Sequence, residues 1–251
     1  MNVFGELAPL HIGTSYVARM ARDEADLRAC QSLRFVVFNS ELNEGLASSF
    51  ETCLDRDLFD SVCDHLLVEH CPSGKIVGTY RMQSGATAHA QHGYYCAQEF
   101  AFDVYAPLRA QIIELGRACI AREHRNFQVL SLLWRGIAAY AQQRGGRYLI
   151  GCSSLTSQDP ADGVAGFNQL QQYLAPPALR TAPTPAYVCP LDGPATPDLK
   201  LPKLLSSYLA LGAWICGPPA LDRAFKTIDF LTLVDLQSPD MQQRRRRFGI
   251  P

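Results

Sequence analysis

The chain reads as one α/β domain built on a central, mixed, twisted sheet flanked by helices. Three features of the sequence lead there. Ile112 to Ile120 is a mostly apolar run of strand length, as the interior of a sheet requires. A helical pattern over Phe127 to Arg144 and a second short apolar run, Tyr148 to Cys152, follow it. A strand–helix–strand unit with a crossover of that length gives a parallel pair joined right-handedly. Upstream, His65 to His70 and Ile76 to Met82 flank a turn at Pro72, Ser73 and Gly74, which is the pattern of an antiparallel hairpin. Parallel and antiparallel pairs together make the sheet mixed.

The elements follow in order. Tyr16 to Met20 is a short first strand. Asp23, with Asp26 three residues on, is a variant of the capping box. It opens a helix that should run to about Phe38, with Leu27, Cys30, Arg34 and Phe38 on one stripe. Asn39 to Asp60 is a long irregular stretch, read as a lid. After the hairpin, Gly85 to His92 reads as a polar loop, Tyr94 to Phe102 as a further strand and Pro107 to Gln111 as a helical turn. The strand 112–120, the loop Ala121 to Asn126 and the long helix come next. That helix should bury Val129, Leu132, Leu133, Ile137 and Tyr140 and stop at Gly145 and Gly146. Beyond Tyr148 to Cys152, Ala161 to Leu174 is helical and the proline-rich stretch 175–202 an extended surface loop. A helix over Pro202 to Leu211, a strand fragment at Ala213 to Cys216 and a closing strand over Ile228 to Val234 complete the domain. The basic end, 238–251, should be flexible.

Composition narrows the class. The chain has 251 residues, 47% hydrophobic and 19% charged, with a net charge of −1. That excludes disorder and gives no global field to attract nucleic acid. No apolar stretch approaches the ~20 residues of a spanning helix, and the first ten residues lack the basic start of a secretory signal. Nine scattered cysteines without a C-x-x-C pair fit reduced thiols in a cytoplasmic protein. Cys63, His65, His70 and Cys71 are the one metal-like group, but on a strand its two histidines face opposite sides, so no metal is expected.

The most informative residues are Glu114, Gly116 and Arg117, an acid and a base flanking a glycine inside the apolar run. Buried charges need partners. Candidates lie upstream: Asp57, Asp60, Asp64 and His65, then Arg81 at the end of the hairpin, and Arg34 on the first helix. Either these charges form a built polar site, or they are an internal ion-pair network. Positions 114 and 117 fall on opposite faces of a regular strand, and a bulge at Gly116 would bring them to one face.

Several segments carry a resemblance. They are LRFVVF at 33–38, DLFDSVCDHLLV at 57–68, VGTYRM at 77–82, YYCAQEF at 94–100 and ELGRACI at 114–120. LLWRGIAAY at 132–140, YLIGCSS at 148–154, the long match over 201–225 and the strand with Asp229 complete the set. In order and spacing the chain resembles the ornithine N-acyltransferases of the GNAT fold, which make lyso-ornithine lipid. ELGR with Arg34, Phe38 and Arg81 also resembles the acyl-homoserine-lactone synthases. The resemblance implies the GNAT fold, an acyl thioester donor, an amine acceptor and amide formation. It adds Phe38, Glu99, Ser153 and Ser154 to the substrate-binding candidates.

Amide formation needs a neutral amine, a stabilised oxyanion and a path for the pantetheine arm. Glu114 is the candidate base, and backbone N–H groups at a Gly116 bulge with Arg117 beside them are the candidate oxyanion donors. The turn before the long helix, RNFQVL at 125–130, has no glycine to let a pyrophosphate approach the backbone. This favours acyl carrier protein over free acyl-CoA, with Arg122, Arg125, Asn126 and Arg147 as contacts to the carrier and its arm. No permanently bound cofactor is expected. Asp57, Asp60 and Asp64 would take the ammonium groups of a diamino acid, and Arg34 or Arg81 its carboxylate. Two alternatives remain at this point: a homoserine-lactone or other N-acyl amino acid synthase, and a non-catalytic acyl-carrier or lipid-binding protein on the same scaffold. The protein should be cytoplasmic, with Arg244 to Arg247 able to touch an anionic membrane surface.

Overall fold

The computed structural model describes residues 7–244. Strands β1 (Leu10–Ile12) and β2 (Tyr16–Met20) come first, β1 being an addition to the expected set. Helix α1 (Glu24–Phe35) starts where the capping pattern places it, the Asp23 side chain accepting the Asp26 N–H at 2.9 Å. It ends three residues early as an α-helix because a π-helical turn, Val36–Glu41, takes over. The stretch read as irregular also holds a short helix α2 (Ser49–Thr52) and a 3-10 turn, Leu58–Ser61.

The hairpin is β3 (Asp64–His70) with β4 (Lys75–Ser84), and it sets His65 directly across from Arg81. Helix α3 (Gly85–Ala90) replaces the expected polar loop. Ser84 explains it, since its Oγ accepts the Thr87 N–H at 3.1 Å and caps the turn. The expected strand at Tyr94 to Phe102 is also corrected: this segment carries a 3-10 turn, Cys96–Gln98, followed by a longer one at Asp103–Gln111. Its backbone N–H groups at Tyr95 and Cys96 bond to a side chain and so are not available to a neighbouring strand.

Strand β5 (Ile112–Ile120) and helix α4 (Phe127–Gln143) lie where the sequence puts them. Asn126 caps α4 by accepting the Val129 N–H at 3.1 Å, and Gly145 follows its end at φ +65°. Strand β6 (Tyr148–Leu155) is longer than read, so Ser153 and Ser154 are strand residues. Helices α5 (Pro160–Leu170) and α6 (Lys203–Ala210) enclose the proline-rich stretch, which runs extended with 3-10 turns at Pro177–Leu179 and Pro185–Tyr187. Strands β7 (Trp214–Ile215), β8 (Ala220–Asp222) and β9 (Thr227–Asp235) and helix α7 (Pro239–Arg244) end the described chain. Arg245 to Arg247 lie outside the described residues. No helix among those described is long and apolar enough to cross a membrane.

The described residues form two compact units, 7–83 with 115–145 and 84–114 with 146–244. In the first, the strands run in the order β1-β2-β3-β4-β5. Helix α4 buries Val129, Leu132, Leu133, Ile137 and Tyr140 against this sheet, the stripe its periodicity predicts. It sits close enough to β3 that a Cβ on Gly136 would come within 2.7 Å of Leu66.

In the second unit the order is β5-β6-β9-β7, with β8 also on β9. Ile112 to Glu114 pair in parallel with Tyr148 to Ile150, and β6 pairs antiparallel with β9 along its whole length. Strand β9 is buried throughout, with an apolar cluster on each face. Leu231 and Leu233 pack with Ile112, Ile150 and Tyr105, while Ile228 and Phe230 pack with Leu155, Leu170 and Leu205.

Candidate active site

Three arginines and three aspartates of the first unit close into a ring of alternating charge. Arg34, fully buried on α1, meets Asp60 at 2.6 Å and Asp55 at 3.0 Å. Arg81 on β4 meets Asp60 at 2.9 Å and Asp57 at 2.5 Å. Arg117 on β5 completes the circuit, to Asp57 at 3.1 Å and Asp55 at 3.2 Å. Asp55 is held by charge alone, without well-aligned hydrogen bonds, whereas Asp60 also accepts from Gln31 at 2.9 Å. Burial works to raise the Asp60 carboxyl, but the guanidiniums of Arg34 and Arg81 override it and hold the group well below the ordinary carboxylate range. The alternatives left open for Arg34, Arg81, Asp57 and Asp60 are thus met by an internal network. Asp55 was not singled out in the sequence, and Asp64 stands apart from the ring, bonded to Tyr140 at 2.8 Å and Arg144 at 2.9 Å. His65 donates from Nε2 to the Asp60 carbonyl oxygen at 3.1 Å. Burial and then the Arg34 charge push its imidazole down to about 4.

Strand β5 breaks its regular form where an irregularity is expected, one residue later than predicted. Arg117, not Gly116, is the left-handed residue, at φ +50°. This conformation is costly for a side chain with a Cβ. A Cβ placed on Gly116 would meet nothing within 4 Å. Gly116, Arg117 and Ala118 are only partly buried, although the strand around them is buried.

The second unit carries a row of polar groups on one face of its sheet. Glu114, 4% exposed, lies across from Ile150 and accepts the N–H groups of Tyr95 at 3.0 Å and Cys96 at 2.8 Å. Cys96 Sγ lies 3.5 Å from Cys152 Sγ on β6, which lies 3.8 Å from Glu99. Two residues along, Ser154 hydrogen-bonds Asp229 of β9, and Thr227 donates to the same carboxylate at 2.8 Å. Glu99, Asp222 and Asp229 are all buried, with carboxylate oxygens within 4.8 Å of one another, close enough to surround a cation. Burial pushes the Asp229 carboxyl up, the two hydroxyls work against it, and the Asp222 charge adds to the rise. Among the described residues, the arginines that are buried throughout, Arg34 and Arg81, belong to the other unit, and no lysine is buried. Ser153 faces away from this row and pairs with Thr232 at 2.9 Å. The sequence reading named Glu99 and Ser154 as site candidates, Asp229 only within the strand that carries the resemblance, and Asp222 not at all. The missed signal was a carboxylate inside the apolar run 228–234, the same cue that singled out Glu114.

The remaining candidates are placed as follows. Phe38 is buried in the π-helical turn. Arg125 grips Glu41 with two hydrogen bonds, at 2.5 and 2.8 Å, and Arg122 approaches the same carboxylate at 3.7 Å. Arg147 pairs with Asp235 at 2.7 Å, and Asn126 is spent on the α4 cap. Of the metal-like group, His65 turns to Asp60 and His70 stacks on Tyr16 and His124, as opposite faces of a strand demand.

Comparison with known proteins bears on the fold and the family. Residues 33–135 match a family model described as an acetyltransferase (GNAT) domain. An L-ornithine N(alpha)-acyltransferase of Agrobacterium fabrum is 32% identical over 253 residues, spanning 94% of this chain and 84% of that protein. One from Rhodobacter capsulatus is 30% identical, spanning 93% and 94%. Among solved structures, the AHL synthase LasI has a TM-score of 0.53 at 12% identity, covering 94% of this chain and 96% of that one. FeeM, an N-acyl amino acid synthase from uncultured soil microbes, gives 0.53 at 12%, covering 94% and 99%. The fold is that of the GNAT enzymes.

The buried charges of the first unit set a pH dependence. Between pH ~6.5 and ~4 an unfolded chain protonates His65 while the folded chain does not, so acidification favours unfolding. Below pH ~4, Asp60 adds a second loss, because its depressed folded value means the unfolded chain takes up that proton first. Urea unfolding at pH 7, 5.5 and 4.5 should show stability falling steadily with pH, and His65→Gln should flatten that slope.

Proposed function

Because the chain belongs to the L-ornithine N(alpha)-acyltransferase family, we propose that it moves a fatty or 3-hydroxy fatty acyl group from acyl carrier protein to the α-amine of ornithine, giving a lyso-ornithine lipid. The observation that carries the choice of acceptor is the buried acidic group Glu99, Asp222 and Asp229. Three carboxylates out of water favour a cation brought in from outside. The side-chain ammonium of a diamino acid supplies one, and the hydroxyls on Asp229 hold that carboxylate in place to receive it. An acceptor with an uncharged side chain would forgo that attraction.

Glu114 lies on the same sheet face, its carboxylate fixed by the two N–H bonds from Tyr95 and Cys96. In this reading it removes the proton that most α-ammonium groups carry at neutral pH, leaving a nucleophilic amine. That amine attacks the thioester carbonyl, the carbon–sulfur bond breaks, and the pantetheine thiol leaves with a proton. Three residues on along β5, at the left-handed Arg117, the backbone N–H groups are the candidate oxyanion donors. We assign them to the carbonyl oxygen as negative charge develops on it. The absence of a Gly116 side chain leaves the space the thioester needs.

A carrier-bound donor is favoured by the start of α4. Asn126 already takes the Val129 N–H, and Phe127 is 59% exposed over the approach to the helix end. With Arg125 committed to Glu41, Arg122 remains the exposed cation for an acidic carrier. We place the enzyme in the cytoplasm, with Arg244 to Arg247 drawing it to anionic lipid at about 1 kcal/mol per residue near the surface.

Three outcomes test this reading, each followed by mass spectrometry of the amide formed from acyl carrier thioester. Ornithine should react with a kcat/KM about a hundredfold above norvaline, which lacks the side-chain amine, and Asp229→Asn should erase that preference. Equal use of the two amino acids by the wild-type enzyme would remove the acidic group from the acceptor site. Glu114→Gln should lower kcat by about a hundredfold or more. Gly116→Ala should leave thermal stability within ~0.5 kcal/mol, since its methyl meets no protein atom, yet raise KM for the acyl donor.

A further inference from the structure

The thiols of Cys96 and Cys152 are used by none of the steps above, yet they stand 3.5 Å apart between Glu114 and the acidic group. Their surroundings differ. Cys96 is 1% exposed, at the start of the 3-10 turn whose first N–H groups hold Glu114. Cys152, on β6, is the less buried residue of the two. A thiol with a second one at van der Waals distance is the arrangement in which a first oxidation product is captured as a disulfide.

We propose that Cys96 and Cys152 form an oxidative modification site, converted by peroxide to a disulfide that switches off the acyl transfer assigned above. The Cys152 sulfur attacks one oxygen of hydrogen peroxide and the O–O bond breaks. The departing hydroxide takes the thiol proton as water, leaving a sulfenic acid. The Cys96 sulfur attacks that sulfenic sulfur, and a second water leaves with the Cys96 proton. Two thiols lose two electrons in total and one peroxide gains them. The contact with Cys96, then burial and the nearby carboxylates, push the Cys152 thiol well up, which makes the reaction slow and faster at higher pH.

The consequence for the site follows from which partner can move. A disulfide needs the sulfurs at about 2.05 Å, so they must close by ~1.5 Å. Strand β6 is paired with β9 along its whole length, Cys152 lying across from Leu231, and is the fixed partner. The 3-10 turn must therefore shift, carrying the Cys96 N–H off Glu114 and moving Glu99.

The acyl-transfer arm rests on the proposed function, while the covalent arm does not. Reduced full-length protein is treated with hydrogen peroxide, alkylated and digested. The expected product is one peptide pair linking Cys96 to Cys152, two hydrogens lighter than the separate thiols. Amide formation should fall by about a hundredfold and return with dithiothreitol. Cys152→Ala should keep its activity under the same treatment. Links among other cysteines alone, or a sulfinic acid at Cys152 with no link, overturn the site. A Cys96–Cys152 link with unchanged activity, or equal loss in Cys152→Ala, overturns the switch. If untreated protein forms no amide with any amino acid, the function fails and the peptide result still decides the site.

Discussion

The ring of Arg34, Asp55, Arg117, Asp57, Arg81 and Asp60 is the constraint on which the first unit depends. Each member touches two opposite charges, so the set is neutral and no charge is left uncompensated in a low-dielectric interior. Isolated buried pairs rarely recover their desolvation, but removing one partner from a satisfied set costs about 3–5 kcal/mol. Helix α1, the 53–61 segment, β4 and β5 are each tied in by at least one ring residue. The left-handed backbone at Arg117, which costs on the order of 1–3 kcal/mol, is sustained by the two aspartates that hold its guanidinium.

The second unit uses buried charge in the opposite way. Its acids Glu99, Asp222 and Asp229 are surrounded by hydroxyls, a thiol and backbone amides, with no buried arginine or lysine of their own unit among the described residues. A saturated ring gives rigidity; in the second unit hydroxyl and backbone N–H groups hold Asp222 and Asp229 instead. Register supplies the geometry. Cys152 and Ser154 lie across from Leu231 and Asp229, so one face of the β6–β9 pair turns from apolar to polar within two residues.

Much of the fold was legible because local signals agreed with one another. Asp23 and Asn126 as caps, Gly145 as a stop, and the hairpin turn all lie where the sequence put them. Segments whose backbone groups are taken up by side chains were misread. Residues 94–102 look like a strand, but Glu114 captures two of their N–H groups, and Ser84 builds a helix from a stretch that looks like loop. Among the candidate site residues, Arg117, Arg34, Arg81, Asp57 and Asp60 do form one group of interdependent charges, while Glu114 is held apart from them by backbone N–H groups. Asp55 was missed and Asp64 included because an irregular segment has no period to say which carboxylate turns inward.

The wide turn at Val36–Glu41 bears on how such a chain can change over descent. Its Leu42 N–H reaches back five residues to the Val37 carbonyl, so the turn houses one residue more than an α-helix would. A single-codon gain or loss there converts one helical form into the other without disturbing Arg34 upstream. The segment is a natural joint at which lineages can differ in length while the charged core beneath it stays the same.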